Sequence, residues 1–432
     1  METLSAWVPQ ELCDHIIDYL YDDIQALAAC SLCCRAWLRR TRRHMFESVT
    51  LSNRNVERAT QFKSMLEASP VIGRCVRSLL AFGPYTPKPY STLFLRICCF
   101  LPSVHILTLG TPNPSRDMML PNIDDIKVLL GTIRTLKLLN ITWDDAQLSQ
   151  WLSSTPLLSQ LYISSVFIPL TSSPRPDPPL VPATANPGII SLKGLVWSHL
   201  ATSPSDILPT TSGSCLLGGL IDLSRTEGLD ISWQCEDIEA GALANRLTRT
   251  ATSLKHLVLS TRGNPIRSNP FIDLSHNTDL TSLHLIDNQV REGGGRAELR
   301  WMAQALSSVY HNQHRHLQRL KLTLQYSFIG ITSDHHCRIE WERVDTEVAR
   351  LARGCPSFEI WVCISNPYSH HGQWTELAIT KVGEYLTKAR DAGARVRVTC
   401  CRNWIFSDVL ETFGGEPDSV LQEYYYLHAV SS

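Results

Sequence analysis

The sequence predicts an α/β chain: a short N-terminal helical block followed by an irregular solenoid of repeats, with parallel strands on its concave face. Three observations predict it. A six-residue pattern, apolar-x-x-apolar-x-apolar, recurs with its central positions running from 79 to 396. Segments of helical periodicity lie between many of its copies. Ahead of the repeats, residues 8 to 46 read as three short helices.

In the first helix Pro9 suits the opening turn, where its missing N–H costs nothing. Leu12, Ile16, Ile17 and Leu20 then recur on one helical face. Asp22 and Asp23 can cap the second helix, because a carboxylate accepts orphaned N–H groups and suits the dipole. Ile24, Leu27, Ala28 and Cys30 to Leu32 give that helix its apolar face. The third carries Cys34, Trp37 and Leu38. It ends in Arg39, Arg40, Arg42 and Arg43, a cluster that reads as a solvated C-terminal cap. So small a unit buries little surface. Its apolar excess, Trp37 included, therefore points to a partner-facing surface.

The order P-x-E-L, I-I-x-x-L, D-x-x-x-L, C-x-L-x-C-R-x-W and a closing F resembles the F-box. It falls on Pro9, Glu11, Leu12, Ile16, Ile17, Leu20, Asp23, Leu27, Cys30, Leu32, Cys34, Arg35, Trp37 and Phe46. Val8 stands where that family usually has Leu, and Cys33 where it usually has Val; both keep the apolar character. The resemblance implies a helical domain over residues 1–50 that docks onto the Skp-type adaptor of a cullin-RING ubiquitin ligase, and through it a cullin. It also implies the contact residues: Pro9, Glu11, Leu12, Ile16, Leu20, Leu27, Cys30, Leu32 and Trp37.

Downstream, clear copies of the six-residue pattern fall on Val104/Leu107/Leu109, Ile133/Leu136/Leu138, Leu158/Leu161/Ile163, Leu192/Leu195/Trp197, Leu254/Leu257/Leu259, Leu280/Leu283/Leu285 and Leu317/Leu320/Leu322. Weaker copies centre on Leu79, Leu229, Ile360 and Val396. Such spacing reads as a leucine-rich repeat, in which no single repeat buries its own face and stacking supplies the core. One copy continues to Asn288 and Val290, placing Asn288 at the step where such repeats bury an Asn. The other copies lack it, and the array over residues 51–432 resembles the degenerate repeats that follow the F-box in many fungal proteins. Residues 123 to 130, 144 to 152, 237 to 250, 297 to 310, 342 to 353 and 375 to 391 read as helical returns. A proline-rich stretch, 168–188, reads as an insert between repeats, and residues 291 to 296 as a turn.

At roughly 150 residues per domain, 432 residues suggest about three domains; the repeats reduce this to two. Forty Lys and Arg against 41 Asp and Glu leave a net charge of -1, so no long-range field gathers nucleic acid or an anionic membrane. No run of about 18 apolar residues appears. The start METLSAWVPQELCDH lacks the basic and apolar regions of a secretory signal. The 14 cysteines are therefore expected to stay reduced in the cytoplasm, the nucleus or both, as small core residues.

Cys30, Cys33 and Cys34 lack the second ligand pair a zinc site needs, so core packing explains them better. His311, His314, His316, His335 and His336 read as surface-loop residues. No phosphate-binding, hydrolase or metalloprotease motif occurs. Trp143, Trp197, Trp233 and Trp361 read as core first, with binding surface as the alternative, and Tyr424 to Tyr426 as a helix packed on the last repeat. The expectation is a non-enzymatic receptor with no cofactor and no metal. Its repeats hold an unidentified target protein for ubiquitin transfer; the alternative is a binding scaffold that does not direct degradation.

Overall fold

The computed structural model describes residues 9–83, 90–110, 123–139, 141, 145–164, 190–200, 221–234, 238–262, 272–288, 299–310, 313–325, 335–355, 357–365 and 372–401. The expectations for Val8, Trp143, the 168–188 insert, the 291 to 296 turn, Val290, His311 and Tyr424 to Tyr426 lie outside the described residues. So do those for the side chains of Asn288, His335 and His336. Backbone contacts divide the chain into two compact units, residues 1–162 with 178–190 and residues 163–177 with 191–432.

In the first unit α1 (Gln10–Tyr19), α2 (Ile24–Cys33) and α3 (Arg35–Glu47) lead straight into β1 (Ser48–Ser52). Strands and helices then alternate: α4 (Val56–Ala68), β2 (Ser78–Phe82), α5 (Tyr90–Cys98), β3 (Ile106–Gly110), α6 (Ile123–Leu130), β4 (Thr135–Leu139), α7 (Asp145–Ser153) and β5 (Gln160–Ser164), whose last two residues are counted in the second unit. β1 to β4 pair in parallel. Val49, Leu79, Leu107 and Leu136 share one register row, and Leu51, Ala81, Leu109 and Leu138 the next. All eight are buried. The alternation of a strand sends these side chains to one face, and each row continues the apolar surface of its neighbour.

The array begins one strand earlier than the sequence pattern places it. Phe46, Val49 and Leu51 carry the same six-residue spacing, but Phe46 also closes the helical motif and so masks the first copy. Residue 50 lies inside this strand, so the helical block runs into the first repeat without a linker. Gly83 follows β2 with a φ of 129°, which side-chain-bearing residues rarely adopt, and a Cβ added there would stand 2.3 Å from the Asn53 side chain.

The second unit repeats the scheme with β6 (Gly194–Leu200), β7 (Gly228–Gln234), α8 (Ile238–Thr250), β8 (His256–Arg262), β9 (Ser282–Asn288), α9 (Arg300–Ser307), β10 (Arg319–Gln325), α10 (His335–Gly354), β11 (Glu359–Ser365), α11 (Gly372–Tyr385), α12 (Thr387–Asp391) and β12 (Arg395–Cys401). Each of these seven strands pairs in parallel with the next. One register row runs Leu195, Leu229, Leu257, Leu283, Leu320, Ile360 and Val396, so every expected central position, weak copies included, lies in a strand. The expected α/β repeat architecture with parallel strands is the one observed.

Polar side chains tie the repeats together at the ends of the returns. The Asn277 amide, fully buried, donates to the Thr248 and Ala251 carbonyls at 2.9 and 2.8 Å. His314, expected on a surface loop, is instead buried, with Nδ1 3.0 Å from the Tyr310 carbonyl and Nε2 3.0 Å from that of Leu274. The Arg350 guanidinium donates to the Leu306 and Val309 carbonyls, both at 2.8 Å. Apart from that of Leu274, which lies in a turn, these carbonyls stand at or just past the ends of α8 and α9, where a helix leaves them without intrahelical partners.

Three helical returns depart from expectation. The return expected at 297 to 310 is shorter, Arg300–Ser307. The one expected at 342 to 353 is longer, His335–Gly354. The single helix expected over 375 to 391 is broken at Leu386, because the Asp345 carboxylate accepts from the Lys388 and Ala389 N–H groups at 3.0 and 2.8 Å and starts α12 afresh. Among the tryptophans, Trp197 and Trp233 are core as expected, whereas Trp361 is 39% exposed on the strand face opposite the leucine rows. Cys33 and Cys99 are exposed rather than core, while Cys13 and Cys98 are buried.

Candidate protein-docking surface on the N-terminal helices

The three N-terminal helices each divide into a packed and an unpacked side. On α1, Cys13 and Ile17 are buried, four residues apart, and Leu20 just past the helix end is half-buried. Leu12, Ile16 and Tyr19, at the equally helical spacing of four and three, are instead 54%, 51% and 86% exposed. On α2, Leu27 has no exposed surface, while Ile24 and Leu32, eight residues apart, are 64% and 87% exposed. Of the eleven large apolar side chains exposed among the described residues, six lie between residues 12 and 32. Single exposed apolar residues are ordinary, whereas such a concentration makes these helices the candidate docking surface.

Local chemistry explains why these helices form and where they stop. The Pro9 carbonyl accepts from the Leu12 and Cys13 N–H groups and so opens α1. Glu11 sits exposed in the first turn, where its charge suits the dipole. Asp23 Oδ1 accepts from Ala26 N–H at 2.9 Å and caps α2, the role expected of Asp22 or Asp23.

α3 packs against both other helices and holds them. Trp37 and Leu38 are half-buried, and the fully buried Thr41 hydroxyl donates back to their carbonyls at 2.9 and 3.1 Å. Arg40 reaches Asp18 of α1 through Nε and Nη2, and His44 Nε2 lies 2.7 Å from the same carboxylate. The Arg40 guanidinium, helped by His44, pulls the Asp18 carboxyl down to about 2 against the opposing effect of burial. Cys30 is half-buried, and burial, then Cys33, pushes its thiol above the usual range, so it is a packing residue rather than a nucleophile.

The residues carried from the sequence motif therefore separate by geometry. Pro9, Glu11, Leu12, Ile16 and Leu32 are exposed; Leu20, Cys30 and Trp37 are half-buried; Leu27 lies wholly inside. Tyr19 and Ile24, which the motif does not single out, extend the exposed surface. The spacing from Leu12 and Ile16 to Tyr19 was the available signal. Asp18 and Arg40 left none, since a contact across 22 residues follows no helical period.

Among the described residues no group of three or more His, Cys, Asp or Glu side chains can hold a metal ion, and no helix is long and apolar enough to cross a membrane. No family model matches the sequence. No curated protein matches it. Among solved structures the chain is similar to the leucine-rich repeat-containing protein LegL7 from Legionella pneumophila. The two are 14% identical with a TM-score of 0.36, over 80% of this chain and 90% of that one.

Proposed function

We propose that this chain is the substrate-recognition subunit of an SCF-type cullin-RING ubiquitin ligase, with α1 to α3 docking onto the Skp-type adaptor and the repeats holding a target protein. The observation that carries the reading is the two-sided character of α1. Ile17 and Cys13 complete the helical core, while Leu12, Ile16 and Tyr19 repeat the helical spacing on a side that nothing in this unit covers enough to bury. Burying a side chain of this kind contributes about 1.5–3 kcal/mol, so several together suffice for a stable complex. The F-box spacing of residues 9 to 46 names the partner, and the parallel repeat array supplies the second binding surface. On this reading the chain itself performs no chemistry; it brings a target to the ligase.

Co-purification with the adaptor tests the reading. An Ile16→Ser, Leu32→Ser variant keeps its core and its helical circular dichroism. It should recover at least about tenfold less adaptor, as expected when central apolar anchors are lost. Undiminished recovery would remove the ligase assignment. Loss of the adaptor without any rise in target abundance would leave a scaffold that does not direct degradation.

A further inference from the structure

On β10, β11 and β12 the residues alternate. One set is the leucine-type row of the core; the other faces away from it and carries charge. Arg319 and Lys321 on β10 stand in register with Glu359 and Trp361 on β11, and these with Arg395 and Arg397 on β12. Arg319, Arg395 and Arg397 are exposed, and Lys321 is half-buried with its ammonium 4.4 Å above the Trp361 ring. The Trp361 indole N–H donates to Thr399 Oγ1 at 2.6 Å, which ties the ring to β12. Glu359, bonded to Arg397 at 2.8 Å, is the one acid among the outward positions of the three strands. Four cations against one acid are unusual in a chain whose net charge is -1. Two neighbouring imidazoles sense the excess. His256 and His284 are held below the usual histidine range first by burial and then by the charges of Arg319 and Lys321 respectively.

We propose that this face, with Trp361 at its centre, is a docking site for an extended peptide segment of a partner protein rich in Asp and Glu. The inference rests on reading the repeats as the target-holding half of the molecule. Charge complementarity selects the partner, and spacing selects its form. Paired cations two residues apart on one strand lie about 6.6 Å from each other, and the two cationic strands about 9.6 Å apart. Alternate side chains of an extended peptide have the same spacing as the first pair. Carboxylates at every second position therefore meet Arg319 and Lys321, or Arg395 and Arg397, without bending the peptide. Trp361, 39% exposed with Lys321 over its ring, stands between the pairs and is the residue type that anchors interfaces most often.

Fluorescence anisotropy of the full-length chain with a labelled peptide carrying Glu at alternate positions tests the proposal, and needs no adaptor. Adaptor docking and peptide binding can therefore fail separately. Binding should weaken at least about tenfold in an Arg319→Glu, Arg395→Glu variant and less in the milder Arg395→Gln, and should fall with added salt. It should be unchanged in Arg58→Glu, which alters an exposed arginine of α4 in the other unit. Binding that ignores the Arg319 and Arg395 reversals would overturn the proposal. So would a phosphoserine version bound more than about tenfold tighter, or single-stranded nucleic acid bound in its place, since either would assign the face to phosphate chemistry.

Discussion

Asp18 on α1 and Arg40 on α3 meet fork to fork, with Arg40 Nε 2.6 Å from Oδ1 and Nη2 2.5 Å from Oδ2. The pair fixes the rotation of α1, and with it the direction in which Leu12, Ile16 and Tyr19 face. The Asp18 carboxyl titrates at about 2 in the folded chain, below its unfolded value of about 3.9. A lowered folded value contributes stability above the unfolded pKa and loses it as pH falls toward the folded one. Because both side chains are about one-third exposed, the contribution is about 1 kcal/mol. The protection of the α1 amides, their exchange relative to an unstructured chain at the same pH, should therefore hold down to about pH 4 and fall about fivefold between pH 4 and 2. Asp18→Asn should show the faster exchange already at neutral pH.

Neighbouring positions on α1 should respond in opposite ways. Ile17 has no exposed surface, so Ile17→Ala should cost about 2–5 kcal/mol of stability, from lost transfer energy and the cavity left behind. Ile16 is half exposed, so Ile16→Ala should stay within about 0.5 kcal/mol of wild type. Urea unfolding of the two variants, followed by helical circular dichroism, checks the contrast. An equal loss in both would mean that α1 is buried on both sides.

The repeat strands were legible because their signal is local. Leu79, Leu229, Ile360 and Val396 stand at the weakest copies of the pattern, yet each lies in a strand of the expected register. Alternation within five residues is enough to place a parallel strand with one wholly apolar face. The polar ties were not legible, because each depends on a partner in another repeat. The pattern directed attention to Asn288, whereas Asn277, before the strand, donates to carbonyls 29 and 26 residues back. His314 resembles a surface residue within HNQHRH, but its buried ring meets the carbonyl of Leu274, 40 residues away, as well as that of Tyr310. Trp361 reads as core by composition and strand propensity. Its outward position follows from the one-residue alternation with Ile360 and Val362, which the pattern already contained.

Asn277 makes a further prediction. Both of its amide hydrogens serve carbonyls at and just after the end of α8. Asn277→Ala leaves both carbonyls without that donor in a buried site and should cost about 2 kcal/mol or more. Asn277→Asp should cost more, because it turns a negative oxygen toward two carbonyl oxygens. Thermal unfolding of the three proteins gives the order, and a neutral Asn277→Asp would show that the site is open to water.

Asp230 gives the repeats a pH dependence. It lies on the outward face of β7 between Val196 and Val258, is 8% exposed, and has no hydrogen-bond or ionic partner among the described residues. Burial alone raises its carboxyl to about 7. The folded chain therefore prefers the neutral acid, while the unfolded chain ionises near 3.9. Between these values the unfolded state has already released the proton that the folded state retains, so stability falls as pH rises. The full window of about three units corresponds to a ceiling of about 4 kcal/mol. Asp230→Asn keeps the shape and removes the titration. Its stability should match wild type near pH 4 and exceed it progressively up to about pH 7, beyond which the gap is constant. Urea unfolding across this range measures the gap. Curves that stay parallel from pH 4 to 8 would mean that the carboxylate is solvated at neutral pH, and that this part of the strand face is wetter than its burial implies.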